Sequence, residues 1–432
     1  MSGSTAIQSN FSSHSDNGVG QKSTHSVWIK RADPSGDTRS TIISGMNGAA
    51  GYMKVRFADD DRLMAYGTNA SGTNCDVQTK RNFRDVMGWI HVVLQIDTSA
   101  GTASDRVKWY VNGELQELHG SPTYPSQGDR NHLTTADDLE IGRNAQSDNE
   151  HFDGYMSHFH CTDGYLTAPS VFGSTDSVTG EWQINPSPTI ANYGTYGYWI
   201  FKDGTNLSGS TIQDQSGQGN NFTLTQGTLT PTVDNPSNVF ATWNPSWSAS
   251  NGNIGDVTFS HGNLTTITAT NYRTTPTTLG VKTEKIYWEI KRNETGAGDT
   301  HFGVMSENAT PANTATWIGN AANGWIMASN GAVYTGGSSS GILSNGTVGN
   351  GAIFMGAYDG ATGKLYFGVD GTWAGTANPS TGANPHYTLD TSLLYFPVVS
   401  TGDDVSANFG NGYFGTTAVS SAGTNASNLG IF

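Results

Sequence analysis

The chain has 432 residues, a formal net charge of −15 at pH 7, 13% charged residues, 55 Gly, 17 Tyr, 17 Phe and 11 Trp. This length exceeds one sandwich and suits two domains with a connector. The acidity and the absence of a basic stripe exclude nucleic acid as a partner, and low Lys/Glu with high Gly argues for short strands and turns, not helices.

The opening MSGSTAIQSN has neither a basic nor an apolar stretch, so no signal peptide is expected. No apolar run is long enough to span a membrane, so no membrane partner is expected either. Asn69, Asn293 and Asn345 begin Asn-x-Ser/Thr triplets, read here as a by-product of composition. Cys75 and Cys161 are too few for a stapled scaffold and read as free buried thiols.

Residues 1–172 form the first expected unit. Short strands are predicted at Ser26–Lys30, Thr41–Ser44 and Tyr52–Phe57. WIHVVLQID (Trp89 to Asp97) is the strongest, with Ile90, Val92, Leu94 and Ile96 on one face. RVKWYVNGEL follows, alternating Val107, Trp109 and Val111 before a tight turn at Asn112-Gly113. LEIGR and FDGYMSHFH complete the set. Strands at this spacing without helices between them predict an antiparallel sandwich.

Residues 173–250 read as a connector rich in Gly, Asn and Pro, yet Trp182, Tyr196, Tyr198, Trp199, Phe201, Phe222 and Phe240 argue that it is ordered and packed. Residues 251–432 form the second expected unit. IYWEIKRNE puts Ile286, Trp288 and Ile290 on one face; HFGVM follows, then a hairpin at Asn330-Gly331. KLYFGVDGTW repeats the pattern of the first unit, with Leu365, Phe367 and Val369 before Asp370-Gly371. LLYFPVVSTGDDVSANFG closes the set.

The series HVVLQID, RVKWYVNGEL, LEIGRN, FDGYMSHFHCTDG resembles a laminin-G-like, or concanavalin A-like, lectin domain. The series YWEI, FGV, GAYD…GKLYFGVDGTW, YFPVVS…VSANFG resembles a SPRY domain. DQSGQGNNFT and VDNPSNVFAT resemble stretches that follow laminin-G-like domains in tailed-bacteriophage structural proteins. The fold class implied is all-β: two antiparallel β-sandwiches joined by an ordered connector. The function implied is a non-enzymatic structural or binding protein on a virion surface, as tail fibre, tail tip or head decoration. Its expected partners are other virion proteins, further copies of itself (trimers by family analogy), and host-surface glycan.

The concanavalin-like resemblance includes glucanases, so a polysaccharide-degrading enzyme is the alternative. It needs two carboxyl groups facing one cleft. Glu289 and Glu294 straddle a strand end at odd separation, hence on opposite faces, and Glu289 reads as solvent-facing. His158 and His160, with His151 and Cys161 nearby, form a weak metal pattern whose plainer reading is structural. The acidic runs at Asp59, Asp60 and Asp61 and at Asp403-Asp404 lack the spacing of a calcium loop; no cofactor is expected, with calcium left open. GAGDTHFG and TGGSSSG do not lie between a strand and a helix, so neither cradles phosphate, and no nucleophile elbow occurs. Trp317, Tyr334 and Trp373 remain as candidate ligand-binding residues, because sugars stack on exposed aromatic faces.

Overall fold

The computed structural model describes residues 5–9, 20–32, 39–48, 51–135, 138–250, 257–268, 273–293, 300–309, 317–420, 422–423 and 430–432. The chain divides into two compact units, Met1–Val239 and Phe240–Phe432. Each is built from two antiparallel sheets around a shared apolar core.

In the first unit one sheet has nine strands among the described residues, in the order Leu207–Ser208, Thr211–Ile212, Phe222–Gln226, Ala6–Ser9, Asp138–Ile141, Ser40–Met46, Gly51–Phe57, Arg62–Asn69 and Gly72–Asn82. The facing sheet has six, in the order Tyr198–Ile200, Gly154–Asp163, Lys22–Arg31, Ile90–Asp97, Val107–Val111 and Glu114–Leu115. Period-two alternation decides which side chains fill the space between them. Val92, Leu94 and Ile96 meet Val27, Ile29, Trp109 and Phe159 there, and Val55, Leu63 and Ile141 come from the opposite sheet. Trp109 lies fully inside and donates its indole N–H to Val77 O at 3.0 Å, so its one polar atom is satisfied.

The segment read from sequence as a connector is divided by the structure. Tyr198–Ile200 pairs with Gly154–Asp163, and Phe222–Gln226 pairs with Ala6–Ser9. These strands are only three and five residues long, too short for period two to show through the surrounding Gly and Asn. The boundary between units falls at Val239, not at residue 250.

In the second unit the larger sheet runs Val257–Ser260, Thr265–Thr268, Val405–Asn408, Lys285–Arg292, Ile353–Asp359, Lys364–Val369, Thr372–Trp373, with Tyr387–Thr388 also on Lys364–Val369. The smaller runs Arg273–Pro276, Tyr395–Thr401, His301–Ser306, Gly324–Ala328, Asn330–Thr335 and Ser338–Thr347. Trp288, Phe302, Phe354, Phe367 and Tyr395 fill the core between them. A satellite cluster of Met305, Ile318, Ile326, Ala332 and Val398 lies apart from that core, with Trp247, Trp317, Tyr334 and Phe396 packed on it.

Both repeated hairpins form. Asn112 and Gly113 have φ of 49° and 80°, and Asp370 and Gly371 have 47° and 78°, the left-handed pair that a two-residue turn requires. The third Asn-Gly differs: only Gly331 has positive φ, and Met327 pairs with Val333, so the connection is wider than a two-residue turn. Cys75 and Cys161 are free and buried, and burial pushes both thiols up.

Candidate functional site

The structure brings Trp317 and Tyr334 together and leaves Trp373 elsewhere. Trp317 precedes the single turn Ile318–Asn320; Tyr334 sits on Asn330–Thr335. Their rings meet edge to face at 4.9 Å. The opposite partner of Trp317 is His301, stacked at 4.5 Å and 13°. A Cβ on Gly319 would fall 2.2 Å from the Trp317 ring, so the indole is seated tightly over its own turn. Both aromatics are half-buried. One face of Trp317 lies on His301 and its edge meets Tyr334, so the indole helps to cover the satellite cluster.

Trp373 lies on Thr372–Trp373 at the edge of the larger sheet and meets Tyr287 edge-on at 6.2 Å. Tyr287 also contacts Phe432 at 4.9 Å. In KIYWEIKR the core takes Trp288 and Ile290, so Tyr287 and Glu289 point to the outer face. The Tyr287 hydroxyl donates to Glu289 Oε1 at 2.7 Å, and Asn408 Nδ2 donates to Glu289 Oε2 at 3.3 Å. Burial and the Glu289 carboxylate together push the Tyr287 phenol far above its ordinary value. The result is a half-buried aromatic group beside a carboxylate held by two donors. Sequence reasoning named Trp373 as a candidate behind Trp317 and Tyr334, and read Glu289 as a solvent-facing strand residue. It missed Tyr287 and Phe432, which period two alone would have put beside Glu289 in the first case and could not have located in the second.

Two glutamates of the first unit are engaged in ion pairs. On the nine-stranded sheet Glu140 binds the Arg143 guanidinium through both oxygens. Glu150 accepts from Arg56 Nη1 at 2.8 Å and Lys54 Nζ at 3.0 Å. Burial alone would raise Glu150, but those two cations outweigh it and hold the carboxyl below its usual range. Glu294 lies outside the described residues.

The acidic run at residues 59–61 faces cations of the protein. Asp59 pairs with Arg39 and Asp60 with Arg62. Asp61, at φ 68° and buried, accepts from Arg31 at 2.8 Å and Arg84 at 2.7 Å. Asp403 is buried against Arg292 at 2.6 Å.

His158 and His160 approach to 6.5 Å, but not through regular alternation. A bulge lies between Ser157 and His160, and His158 takes φ 48°. His158 bonds the Ser157 hydroxyl at 2.7 Å; His160 bonds the Tyr193 hydroxyl at 2.9 Å and stacks on Trp199. Cys161 points instead into the core. Among the described residues no group of three or more His, Cys, Asp and Glu is arranged to hold a metal. Ser26 and His91 are also paired, at 2.8 Å, but both are buried. Trp182 Nε1 donates to His91 Nδ1 at 3.1 Å, which fixes the neutral tautomer with Nε2–H toward Ser26 and removes the nitrogen that a general base would use.

Residues 2–172 match the family described as the concanavalin A-like lectin/glucanases superfamily. No curated protein sequence matches the chain. Among solved structures, the chain is similar to the SPRY domain of human HERC1 at 15% identity and a TM-score of 0.27, over 33% of this chain and 87% of that one. It is similar to the PSpry domain of TRIM65 at 13% and 0.29, over 39% and 91%, and to stonustoxin at 15% and 0.30, over 39% of this chain and only 27% of that one. The chain is thus all-β and antiparallel, and its first unit carries a concanavalin A-like domain.

Proposed function

We propose that this chain is a non-enzymatic structural and binding protein on the surface of a tailed-phage virion, where it contacts other virion proteins and binds host-surface glycan through its second unit. The observation that carries the binding reading is the outer-face group of Trp373, Tyr287 and Glu289, with Glu289 held by the buried Asn408. An aromatic group beside a carboxylate that the buried Asn408 amide holds in place offers the stacking surface and the hydroxyl-reading acceptor that a sugar ring needs. The pairing of Glu140 and Glu150 with cations supports a role without catalysis. The phage reading rests on the resemblance of the connector, and homo-oligomerisation as a trimer on analogy with virion appendages.

The test is binding of the purified chain to intact host cells and to their extracted surface polysaccharide, with reducing ends followed in the same samples. Saturable binding without release of reducing ends is expected, weakened about tenfold or more by Trp373→Ala and much less by Trp317→Ala. New reducing ends would replace this reading with a polysaccharide-degrading enzyme. No binding to either target would remove the glycan part and leave an architectural role.

A further inference from the structure

One polar group in the first unit is used by none of the above. Lys30, on the strand Lys22–Arg31, has its Nζ 2.9 Å from Asp234 Oδ2, and the side chains are 1% and 2% exposed. The two residues lie 204 positions apart, so the contact ties the final stretch of the unit to its first long strand. Trp89 Nε1 donates to the other carboxylate oxygen, Asp234 Oδ1, at 2.9 Å. The Tyr155 ring lies 5.5 Å from Lys30 Nζ, and Trp89 and Tyr155 contact each other at 6.1 Å. A primary amine and a carboxyl group therefore meet in an enclosure walled by two aromatics.

We propose that Lys30 and Asp234 condense spontaneously into an intramolecular amide after the unit folds. Condensation requires the neutral amine–acid form of this buried pair, whose Nζ and Oδ2 are already in hydrogen-bond contact. Proton transfer from Nζ to Oδ2 produces that form. The amine lone pair then attacks Asp234 Cγ, and negative charge develops on Oδ1, the atom that already accepts the Trp89 indole N–H. That donor stands where an oxyanion stabiliser is needed. The C–Oδ2 bond breaks, and Oδ2 leaves as water with the proton it received and a second one from nitrogen. An ammonium and a carboxylate become one amide and one water, with no oxidant or co-reactant. The fold supplies proximity, which converts a bimolecular condensation into an intramolecular one, and the aromatic walls hinder the returning water. The product removes two buried formal charges and closes a long loop covalently, which restricts the unfolded chain.

The experiment is an intact-mass spectrum of the purified full chain, followed by proteolytic mapping. The expected mass is lower than that of the sequence by one water, about 18 Da, with a branched peptide joining Lys30 to the segment that contains Asp234. Lys30→Arg keeps the cation and restores the full mass; Trp89→Phe leaves a larger uncondensed fraction at early times after purification. A wild-type chain of full sequence mass with an unmodified Lys30 peptide overturns the proposal. So does a water loss that persists in Lys30→Arg, since it would then belong to a succinimide at an Asp-Gly step such as Asp370-Gly371.

Discussion

Asn112 and Asp370 occupy the same position in two hairpins and do the same work. Asn112 N–H donates to His91 O at 2.9 Å, and His91 N–H donates back to Asn112 Oδ1 at 2.8 Å. Asp370 N–H donates to Ile353 O at 2.9 Å, and Ile353 N–H donates back to Asp370 Oδ1 at 2.8 Å. Each turn residue thus continues the ladder onto a third strand, with a side-chain oxygen standing in for a backbone carbonyl. Asn112→Ala and Asp370→Ala should each lower stability by about 1–2 kcal/mol, while Asp370→Asn keeps the acceptor and stays near wild type. Urea midpoints at neutral pH check this.

The glycines that follow are not equivalent. A Cβ on Gly371 meets nothing within 4 Å, whereas a Cβ on Gly113 falls 2.4 Å from the Trp182 ring. Gly371→Ala should cost only the left-handed penalty, about 1–2 kcal/mol. Gly113→Ala should cost clearly more, and most of the excess should vanish in a Trp182→Ala background. A double-mutant cycle by urea unfolding measures that coupling. Turn chemistry made both glycines legible in the sequence, but the indole over one of them comes from a segment 69 positions away (182 − 113) and no local pattern announces it.

Titratable side chains add a pH dependence with a definite sign. Burial lowers His25 and His91 from 6.5 to about 3. The unfolded chain therefore takes up protons below pH 6.5 that the folded chain refuses until about 3. Stability is full above that window and falls as pH drops through it. His158, lowered to about 4, acts the same way. Asp163 opposes them, because burial raises it to about 6 and its protonation as pH falls favours the folded form. Its shift is smaller than that of either buried histidine, so a net loss is expected between pH 6.5 and 4. Thermal unfolding across that range should show it, with a smaller slope in His91→Gln.

At the scale of elements, the hairpin Gly173–Thr175 with Trp182–Ile184 covers the outer face of the six-stranded sheet. His91 is stacked on Trp28 at 4.9 Å and on Trp182 at 6.0 Å, and Phe172 closes on His91 and His160. This is why nine of the ten residues of Lys22–Arg31 are buried although only alternate ones face the core. Trp182→Ala should free the hairpin locally without unfolding the sandwich. Hydrogen exchange should then speed up at residues 173–184 and stay slow at Val92 to Ile96.

At the scale of the whole molecule, the unit that folds is longer than the stretch with a family resemblance. The match ends at residue 172, but the compact unit runs to Val239. A fragment of residues 1–172 loses Tyr198–Ile200 from beside Gly154–Asp163 and Phe222–Gln226 from beside Ala6–Ser9. It also exposes the Trp28 and His91 face. Residues 1–239 should melt cooperatively, and 1–172 should not; circular dichroism of the two fragments compares them, and an equally sharp transition in both would reject the extended unit.

Local chemistry was enough to reveal the all-β class, the paired hairpins and the buried faces of the long strands. A two-residue turn needs particular φ angles and a half-buried strand needs period two, and both requirements are written into neighbouring residues. The candidate site divided differently. Glu289 was legible on the outer face of its strand, and Trp317, Tyr334 and Trp373 were legible as aromatics near turns. That Trp317 packs with Tyr334 over a satellite cluster while Trp373 joins Tyr287 and Phe432 was decided by the fold alone. The same holds for Lys30 against Asp234 and for the cations that neutralise Asp59, Asp60 and Asp61. Such contacts join residues that no short-range rule relates, and only sheet order and register bring them within reach of one another.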